Sequence, residues 1–211
     1  MPRLKPVSRD KADPRVIPVY DLVFGADRDP VASPGTATGT PGDFFTTWAN
    51  APAILAHFQT LMPNASAASA PQASQVDAAL RGLAACRVGY TLRSQFVYSQ
   101  NCKASRNAGV PEEKIQAVSC WTLSTLFTDI ERAVLAYVDA NILERGRVHD
   151  DVIAGLRKTL SEEQIIGLSF TINFYAMHAR SCRALRLEYD DVPERLTEIP
   201  APDKPGVQDW R

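Results

Sequence analysis

The placement of proline constrains what this chain can fold into more than any other feature of its sequence. Ten of the fifteen prolines precede residue 72, one is Pro111, and the other four begin at Pro193. Proline removes a backbone N–H donor and clashes with the preceding helical turn. The proline-free interval between Pro111 and Pro193 can therefore form long helices, whereas the two ends of the chain cannot.

Apolar residues recur at helical spacing, and strand-type alternation is absent. The pair Thr128 and Glu131 has the spacing of a capping box, and a stripe of apolar residues follows it. A second capping box, Ser161 with Gln164, opens a helix that we expect to run to about Glu188. The sequence predicts an all-α protein with about seven or eight helices.

Other residues predict helix boundaries. A helix that begins near Phe44 is expected to break at Ala51-Pro52, because proline cannot continue it. Gly109 has the position of a helix C-cap, and Gly146 is expected to end the helix that follows the first capping box. Pro111 is expected at the first position of the helix after Gly109. Either His149 or Asp150 is expected to cap a further helix.

Composition divides the chain into three parts. Residues 1–42 are expected to form an N-terminal arm and loop, with a short helical turn around Val19–Phe24. Residues 43–189 form the helical domain, which contains a linker of small residues at 63–73. Residues 190–211 form an acidic, proline-rich C-terminal tail.

Charge and residue usage exclude several classes of function. The net charge of −1 offers no basic excess for nucleic acid. No apolar run approaches the roughly 18–20 residues that span a bilayer, and the N-terminus lacks the apolar core of a signal peptide. Three histidines and four widely spaced cysteines argue against a site for several metal ions and against a dense disulfide framework. We expect a cytoplasmic protein with reduced thiols, no metal, no cofactor, no membrane contact and no nucleic acid partner.

The segment 79–110 carries a resemblance. Its pattern of Leu80-Arg81, Arg87-Val88, Tyr98 and Ala108-Gly109-Val110, followed by an acidic helix start, resembles the carboxymuconolactone decarboxylase and alkyl hydroperoxidase D-like superfamily. The flanking helices around Phe44, Glu131 and Arg180 agree, so the likeness covers roughly residues 43–188. It implies an all-α bundle of this type and a homo-oligomer.

The chain departs from the family pattern where the chemistry is expected. The resemblance implies a relay of cysteines, glutamate and histidine, and alignment places Ser94, Val97 and Asn101 at its positions on one helix. Gly82 stands at the upstream glutamate position. With Tyr98, these three helix residues share one face that can orient a ligand but does not titrate near pH 7. Cys102 lies one residue beyond the relay position and is a further catalytic candidate. The alternative is that it is a small apolar side chain buried in the core.

Several side chains outside this face are candidates for the same site. His178, in an apolar helix, is the first choice for proton transfer, and Tyr98 is the second. Arg87 lies on an apolar stripe and either binds a substrate carboxylate or pairs with Glu131 or Asp139. For each candidate the alternative to a role in the site is a purely structural one, as a side chain packed in the core or exposed on the surface. The remaining candidates for substrate binding are Arg93, Trp48, Phe174 and Tyr175.

Three functions remain open. The first is a cofactor-independent lyase, decarboxylase or isomerase acting on a cyclic or aromatic organic acid, with His178, Tyr98 and Asn101 as catalytic candidates. The second is a non-catalytic binding or structural member of the family. The third is a peroxidase that depends on Cys102, which is disfavoured because no second cysteine lies nearby in the sequence.

Overall fold

The computed structural model describes residues 2–34, 42–61 and 76–187. Within these ranges all regular secondary structure is helical, which confirms the all-α prediction. The predicted break at Ala51-Pro52 separates two helices, and the turn expected around Val19–Phe24 is a full helix. The described residues therefore contain nine α-helices rather than seven or eight. They are α1 (Ile17–Phe24), α2 (Asp43–Trp48), α3 (Pro52–Leu61), α4 (Ala78–Thr91), α5 (Gln95–Asn107), α6 (Glu112–Ala117), α7 (Asp129–Ile142), α8 (Asp150–Arg157) and α9 (Glu162–Leu185). Short 3₁₀ helices form at Arg9–Lys11 and Val118–Leu123.

The predicted capping boxes are present. The backbone N–H of Thr128 donates to Glu131 Oε2 at 2.7 Å, and the N–H of Glu131 donates to Thr128 Oγ1 at 3.4 Å. At the start of α9, the N–H of Ser161 donates to Gln164 Oε1 at 2.9 Å and the N–H of Gln164 donates to Ser161 Oγ at 3.2 Å. Each box satisfies two N–H groups that a helix start otherwise leaves without acceptors.

The other predicted boundaries hold with one shift. Gly109 has φ of +81° and follows α5, and Gly146 has φ of +85° beyond the end of α7. His149 caps α8, since its Nδ1 accepts from the N–H of Asp151 at 3.3 Å. Pro111 is the N-cap of α6 and not its first helical residue, because its ψ of 142° is extended.

The chain divides into two compact units. The terminal unit comprises Met1–Pro71 with Ser181–Arg211, and the central unit comprises Gln72–Arg180. The predicted linker at 63–73 and the tail from residue 190 lie outside the described residues, as do residues 35–41 of the predicted loop. The domain boundaries expected at 42 and 189 stay predictions.

The terminal unit is built on aromatic packing. Tyr20 and Phe24 of α1 and Phe44 of α2 are almost fully buried. The Tyr20 hydroxyl donates to the carbonyl of Val7 at 2.7 Å, which ties the first residues to α1. The predicted helical turn is therefore a helix with a buried face.

The central unit depends on the close approach of α4 and α5, which form an antiparallel hairpin. A Cβ added at Gly82 would lie 2.4 Å from Ser105 Oγ, and one added at Gly89 would lie 2.5 Å from the backbone nitrogen of Tyr98. Real Cβ atoms do not come this close to other atoms. Glycine at these two positions, seven residues apart, is therefore what allows the two helix backbones to pack together.

No described helix is long and apolar enough to cross a lipid bilayer.

Replacing Gly89 by alanine should destabilise the protein by about 1–3 kcal/mol, because the new methyl group meets backbone atoms that cannot rotate away. The matched control is Gly155→Ala in α8, whose Cβ would lie 3.4 Å from Ala133 Cβ, an ordinary contact. That variant should be neutral or more stable by up to about 1 kcal/mol, since alanine is the better helix former. Urea unfolding measures both, and equal effects would contradict the close-approach argument.

Candidate functional site

A tight turn joins α4 to α5 and positions the first candidate residues. The N–H of Ser94 donates to Gly89 O at 2.9 Å and the N–H of Arg93 donates to Tyr90 O at 3.1 Å. These two bonds form a Schellman motif, which places Arg93 in the left-handed region with φ of +54°. Arg93 is exposed at this turn. Its side chain can therefore meet an anion at the surface.

The predicted face on α5 is present but lies in the interior. Ser94, Val97, Tyr98 and Asn101 are 0–4% exposed. Ser94 is the N-cap and its Oγ accepts from the N–H of Val97 at 3.2 Å. Asn101 Nδ2 donates to Val97 O at 2.8 Å. Both polar side chains thus make hydrogen bonds within their own helix, which is a structural role that the spacing alone did not reveal.

His178 lies in a set of aromatic rings that we name the aromatic–histidine cluster: Phe96, Phe174, Tyr175 and His178. The ring centroid of His178 lies 5.3 Å from that of Phe96 in an edge-to-face arrangement. The Tyr175 ring is nearly parallel to the imidazole, with centroids 6.4 Å apart, and the Phe174 ring stands edge-on at 6.3 Å. The sequence analysis named three members, and Phe96 is the one it missed as a site residue.

Burial determines the protonation state of this histidine. His178 is 5% exposed, and desolvation lowers the pKa of its imidazole from 6.5 to about 3. A neutral imidazole has one nitrogen that donates and one that accepts. At neutral pH, His178 therefore offers a hydrogen-bond donor and acceptor without charge, and it is a weak base until a ligand changes its surroundings.

Arg87 takes the structural alternative of the two that the sequence left open. Its Nε and Nη2 donate to the carboxylate of Asp139 at 2.7 and 2.9 Å. Its Nη1 donates to the carbonyls of Val118 and Ser119, each at 3.0 Å. Trp121 Nε1 donates to the same carboxylate at 2.9 Å. The guanidinium is thus committed to joining α4, α7 and the 3₁₀ segment, and Glu131 instead pairs with Lys114 at 2.8 Å.

Cys102 has a cysteine neighbour in space. The Sγ atoms of Cys86 on α4 and Cys102 on α5 lie 3.8 Å apart, although the two residues are sixteen positions apart in the chain. Spacing along one helix could not reveal this pair. The available signal was the register of the hairpin, in which Gly82 faces Ser105 and Gly89 faces Tyr98.

Trp48 belongs to the terminal unit and is considered there by itself. It is half-buried, with its ring centroid 4.9 Å from that of Phe44 and 5.0 Å from that of Phe58. Its place is in the aromatic packing of that unit, and a role as a pocket wall stays a prediction.

Among the described residues, no three His, Cys, Asp or Glu side chains form a group that could hold a metal ion.

Comparison with known proteins agrees with the resemblance. The model of the carboxymuconolactone decarboxylase family matches residues 56–140. A protein of unknown function from Agrobacterium tumefaciens, provisionally assigned to the antioxidant defence protein AhpD, is 30% identical over 51% of this chain and 74% of its own, with a TM-score of 0.47. No curated protein matches the sequence.

Two further solved structures share the fold at lower identity. The debrominase Bmp8, solved without ligand and as a cysteine-to-alanine variant with 2,3,4-tribromopyrrole, is 18% identical and has a TM-score of 0.67 over 87% of this chain and 89% of its own. An uncharacterized peroxidase-related protein from Ralstonia eutropha JMP134, an alkylhydroperoxidase AhpD core, is 15% identical with a TM-score of 0.62 over 92% of this chain and 99% of its own.

The match to the carboxymuconolactone decarboxylase family covers residues 56–140, and it confirms the resemblance for this part of the chain. The matched region contains α4, α5 and α6 and most of α7, and it ends before α9. It therefore includes the α5 face, the Arg87–Asp139 ion pair and the two neighbouring thiols, whereas His178 lies beyond it.

Replacing Asp139 by asparagine should destabilise the fold by about 3 kcal/mol, because the buried charge of Arg87 then lacks its counter-ion. The matched control is Glu112→Gln, which removes the exposed pair that Glu112 makes with Arg106 at 2.6 Å. That change should cost less than about 1 kcal/mol. Urea unfolding at neutral pH measures both, and an Asp139 variant no weaker than the control would overturn the structural role of Arg87.

The burial of His178 predicts a specific loss of stability in acid. The unfolded chain binds a proton on this residue below its ordinary pKa of 6.5, whereas the folded chain does so only near pH 3. The unfolded state therefore binds more protons between these values, and the free energy of unfolding falls as the pH drops through that window. The slope is up to about 1.4 kcal/mol per pH unit.

Other carboxylates also titrate in acid, so the comparison is with His178→Phe, which keeps the ring packing and removes the titration. Urea unfolding from pH 7 to pH 4 should show the wild-type protein losing stability faster than this variant. Parallel curves would show that His178 is not a buried neutral histidine.

Proposed function

We propose that the protein is an enzyme that acts on a small cyclic or aromatic organic acid by lyase, decarboxylase or isomerase chemistry, without a redox or metal cofactor. The match of residues 56–140 to the carboxymuconolactone decarboxylase family supports an enzyme that acts on small molecules. The observation that carries the proposal is the neutral imidazole of His178 among the three rings of the aromatic–histidine cluster.

Aromatic walls favour a flat ring, because ring pairs gain energy in edge-to-face and offset arrangements beyond the area that they bury. Bmp8, which shares this fold, was solved with 2,3,4-tribromopyrrole, which contains a single flat ring. We propose that a substrate ring of similar size packs against Phe96, Phe174 and Tyr175. The α5 residues Val97 and Tyr98 complete the wall.

An acidic substrate would supply the activation that His178 lacks alone. A carboxylate within about 4–6 Å stabilises the imidazolium form and raises the pKa of the histidine. The ligand would thereby move His178 from a weak base toward the range in which general acid–base catalysis is efficient. Arg93, exposed at the α4–α5 turn, would attract the acid, and Tyr98 is the second proton-transfer group. Arg87, Ser94 and Asn101 would contribute indirectly, because their hydrogen bonds hold α4, α5 and α7 in place.

A pair of probes tests the proposal. Pyrrole-2-carboxylate is a flat ring with a carboxylate, and pyrrole is the same ring without it. In ¹⁵N NMR of the His178 imidazole, pyrrole-2-carboxylate should bind and raise the titration midpoint well above 3. Pyrrole, which lacks the carboxylate, should leave the midpoint unchanged. His178→Phe should bind the acid at least tenfold more weakly, which is about 1.4 kcal/mol, while His149→Ala, at an exposed helix cap, should bind as wild type.

Turnover separates the enzyme from a binding protein. Cyclic and aromatic acids are screened by loss of ring absorbance, and His178→Phe should lower the rate of any active substrate by about 10²–10⁴-fold, the usual contribution of one acid–base group. An unchanged rate in that variant would overturn the role of His178. Binding without turnover across the whole screen would favour the non-catalytic alternative.

A further inference from the structure

The exposed residues of α9 form a single line along the helix. From residue 163 to residue 180, the exposed positions alternate at spacings of three and four, and every position between them is buried or half-buried. We name this line the α9 seam: Glu163, Ile166, Phe170, Asn173, Met177 and Arg180. All six residues belong to the central unit. Alternating spacings of three and four are the pattern by which one helix packs along another in a coiled coil.

Half of the α9 seam is apolar. Ile166 is 70% exposed, Met177 is 41% exposed and Phe170 is 38% exposed. The core side of the same helix is already packed, since Leu168 and Ile172 are 0% exposed. A helix at the surface of a globular protein usually turns polar side chains to water. The seam is therefore a second apolar surface of α9, suited to a further helix.

The order of residues along the α9 seam is symmetric under reversal. Read from either end, the spacings are three, four, three, four and three. Two copies of α9 that run antiparallel can therefore place every seam residue opposite a seam residue of the other copy. The opposing pairs are Glu163 with Arg180, Ile166 with Met177, and Phe170 with Asn173.

These opposing pairs are chemically complementary. A carboxylate meets a guanidinium at each end, and the apolar side chains of Ile166 and Met177 meet between them. Asn173 Nδ2 donates to the carbonyl of Ser169 at 2.9 Å, so its amide nitrogen keeps a partner when a ring covers it. Parallel copies in register would instead oppose two carboxylates and two guanidiniums, and like charges across an interface repel.

We propose that the α9 seam binds a second copy of this chain, antiparallel and across a twofold axis. The same surface then serves both copies, as a twofold interface requires. The homo-oligomer expected from the sequence stays a prediction, and the proposal gives it a surface and a direction. It goes beyond the proposed function and does not depend on it, since no seam residue is among the candidate site residues.

The length of the α9 seam sets the expected strength of the dimer. The seam is about 26 Å long, and two helices of this length bury less than the roughly 1,600 Å² of a standard interface. We therefore expect a dimer that dissociates at micromolar concentrations. It would also cover Phe170, whose ring centroid lies 6.0 Å from that of Phe174 in the aromatic–histidine cluster.

Reversal of one charge at a time tests the proposal. In sedimentation equilibrium of the full chain, up to about 200 µM, the wild-type assembly should have twice the mass of either Glu163→Lys or Arg180→Glu. Each variant opposes like charges at both ends of the seam, which should weaken dimerisation about tenfold or more. The matched controls, Glu113→Lys and Lys158→Glu, change exposed charges outside α9 and should assemble as wild type.

Restoring the opposite charges provides the second measurement. An equimolar mixture of Glu163→Lys and Arg180→Glu should form heterodimers, because the antiparallel pair then has opposite charges at both ends. One chain with both substitutions should also dimerise, since each pair is attractive with its signs exchanged. Parallel copies would oppose each position to itself, so there the double substitution would still oppose like charges.

Three results would each overturn the proposal. The first is a wild-type chain that stays a monomer of 23.1 kDa at the highest concentration. The second is a wild-type assembly that both single charge reversals leave intact. The third is a loss of assembly that neither the mixture nor the double substitution restores.

Discussion

The central unit depends on the distance between α4 and α5. Two glycines on α4 remove the side chains that would hold the helices apart, and backbone and hydroxyl groups of α5 take that space. Well-packed interiors do not absorb an extra methylene without shifts of neighbouring atoms. The position of the α5 face, the contact of the two sulfurs and the turn at Arg93 all follow from this one approach.

Features that depend on local chemistry could be predicted from the sequence. The two capping boxes, the histidine cap of α8 and the glycine ends of α5 and α7 were all expected, because each is decided by hydrogen bonds within a few residues. The family frame was also recognisable from short patterns on successive helices. By contrast, the choice between Asp139 and Glu131 as the partner of Arg87 depended on which helices face each other. Periodicity defines a face but not its neighbour.

The same limit applies to the side chains of the candidate site, whose neighbours on other helices the sequence did not show. The sequence placed His178 on an apolar helix, but its neutral state follows from burial among rings contributed partly by another helix. Ser94 and Asn101 were predicted to contact a ligand because the resemblance places them at the relay positions on one helix face. The structure adds that each makes a hydrogen bond within its own helix, and their contact with a ligand stays a prediction. The contact between the two thiols was missed because it depends on the register of the α4–α5 hairpin. That register is set by Gly82 and Gly89 together, through the residues of α5 that face them.

The Arg87–Asp139 ion pair has a consequence for how the protein responds to ionic strength. Added salt screens charges that water surrounds, with a Debye length of about 10 Å at 0.1 M, but it weakens a largely buried pair much less. The side chains of Arg87 and Asp139 are 10% and 20% exposed, whereas those of Arg157 and Glu162 are 59% and 79% exposed. Concentrated salt therefore removes the peripheral attractions first and leaves the link between α4 and α7 in place. The helices that carry the thiols and the α5 face thus keep their arrangement across a wide range of salinity.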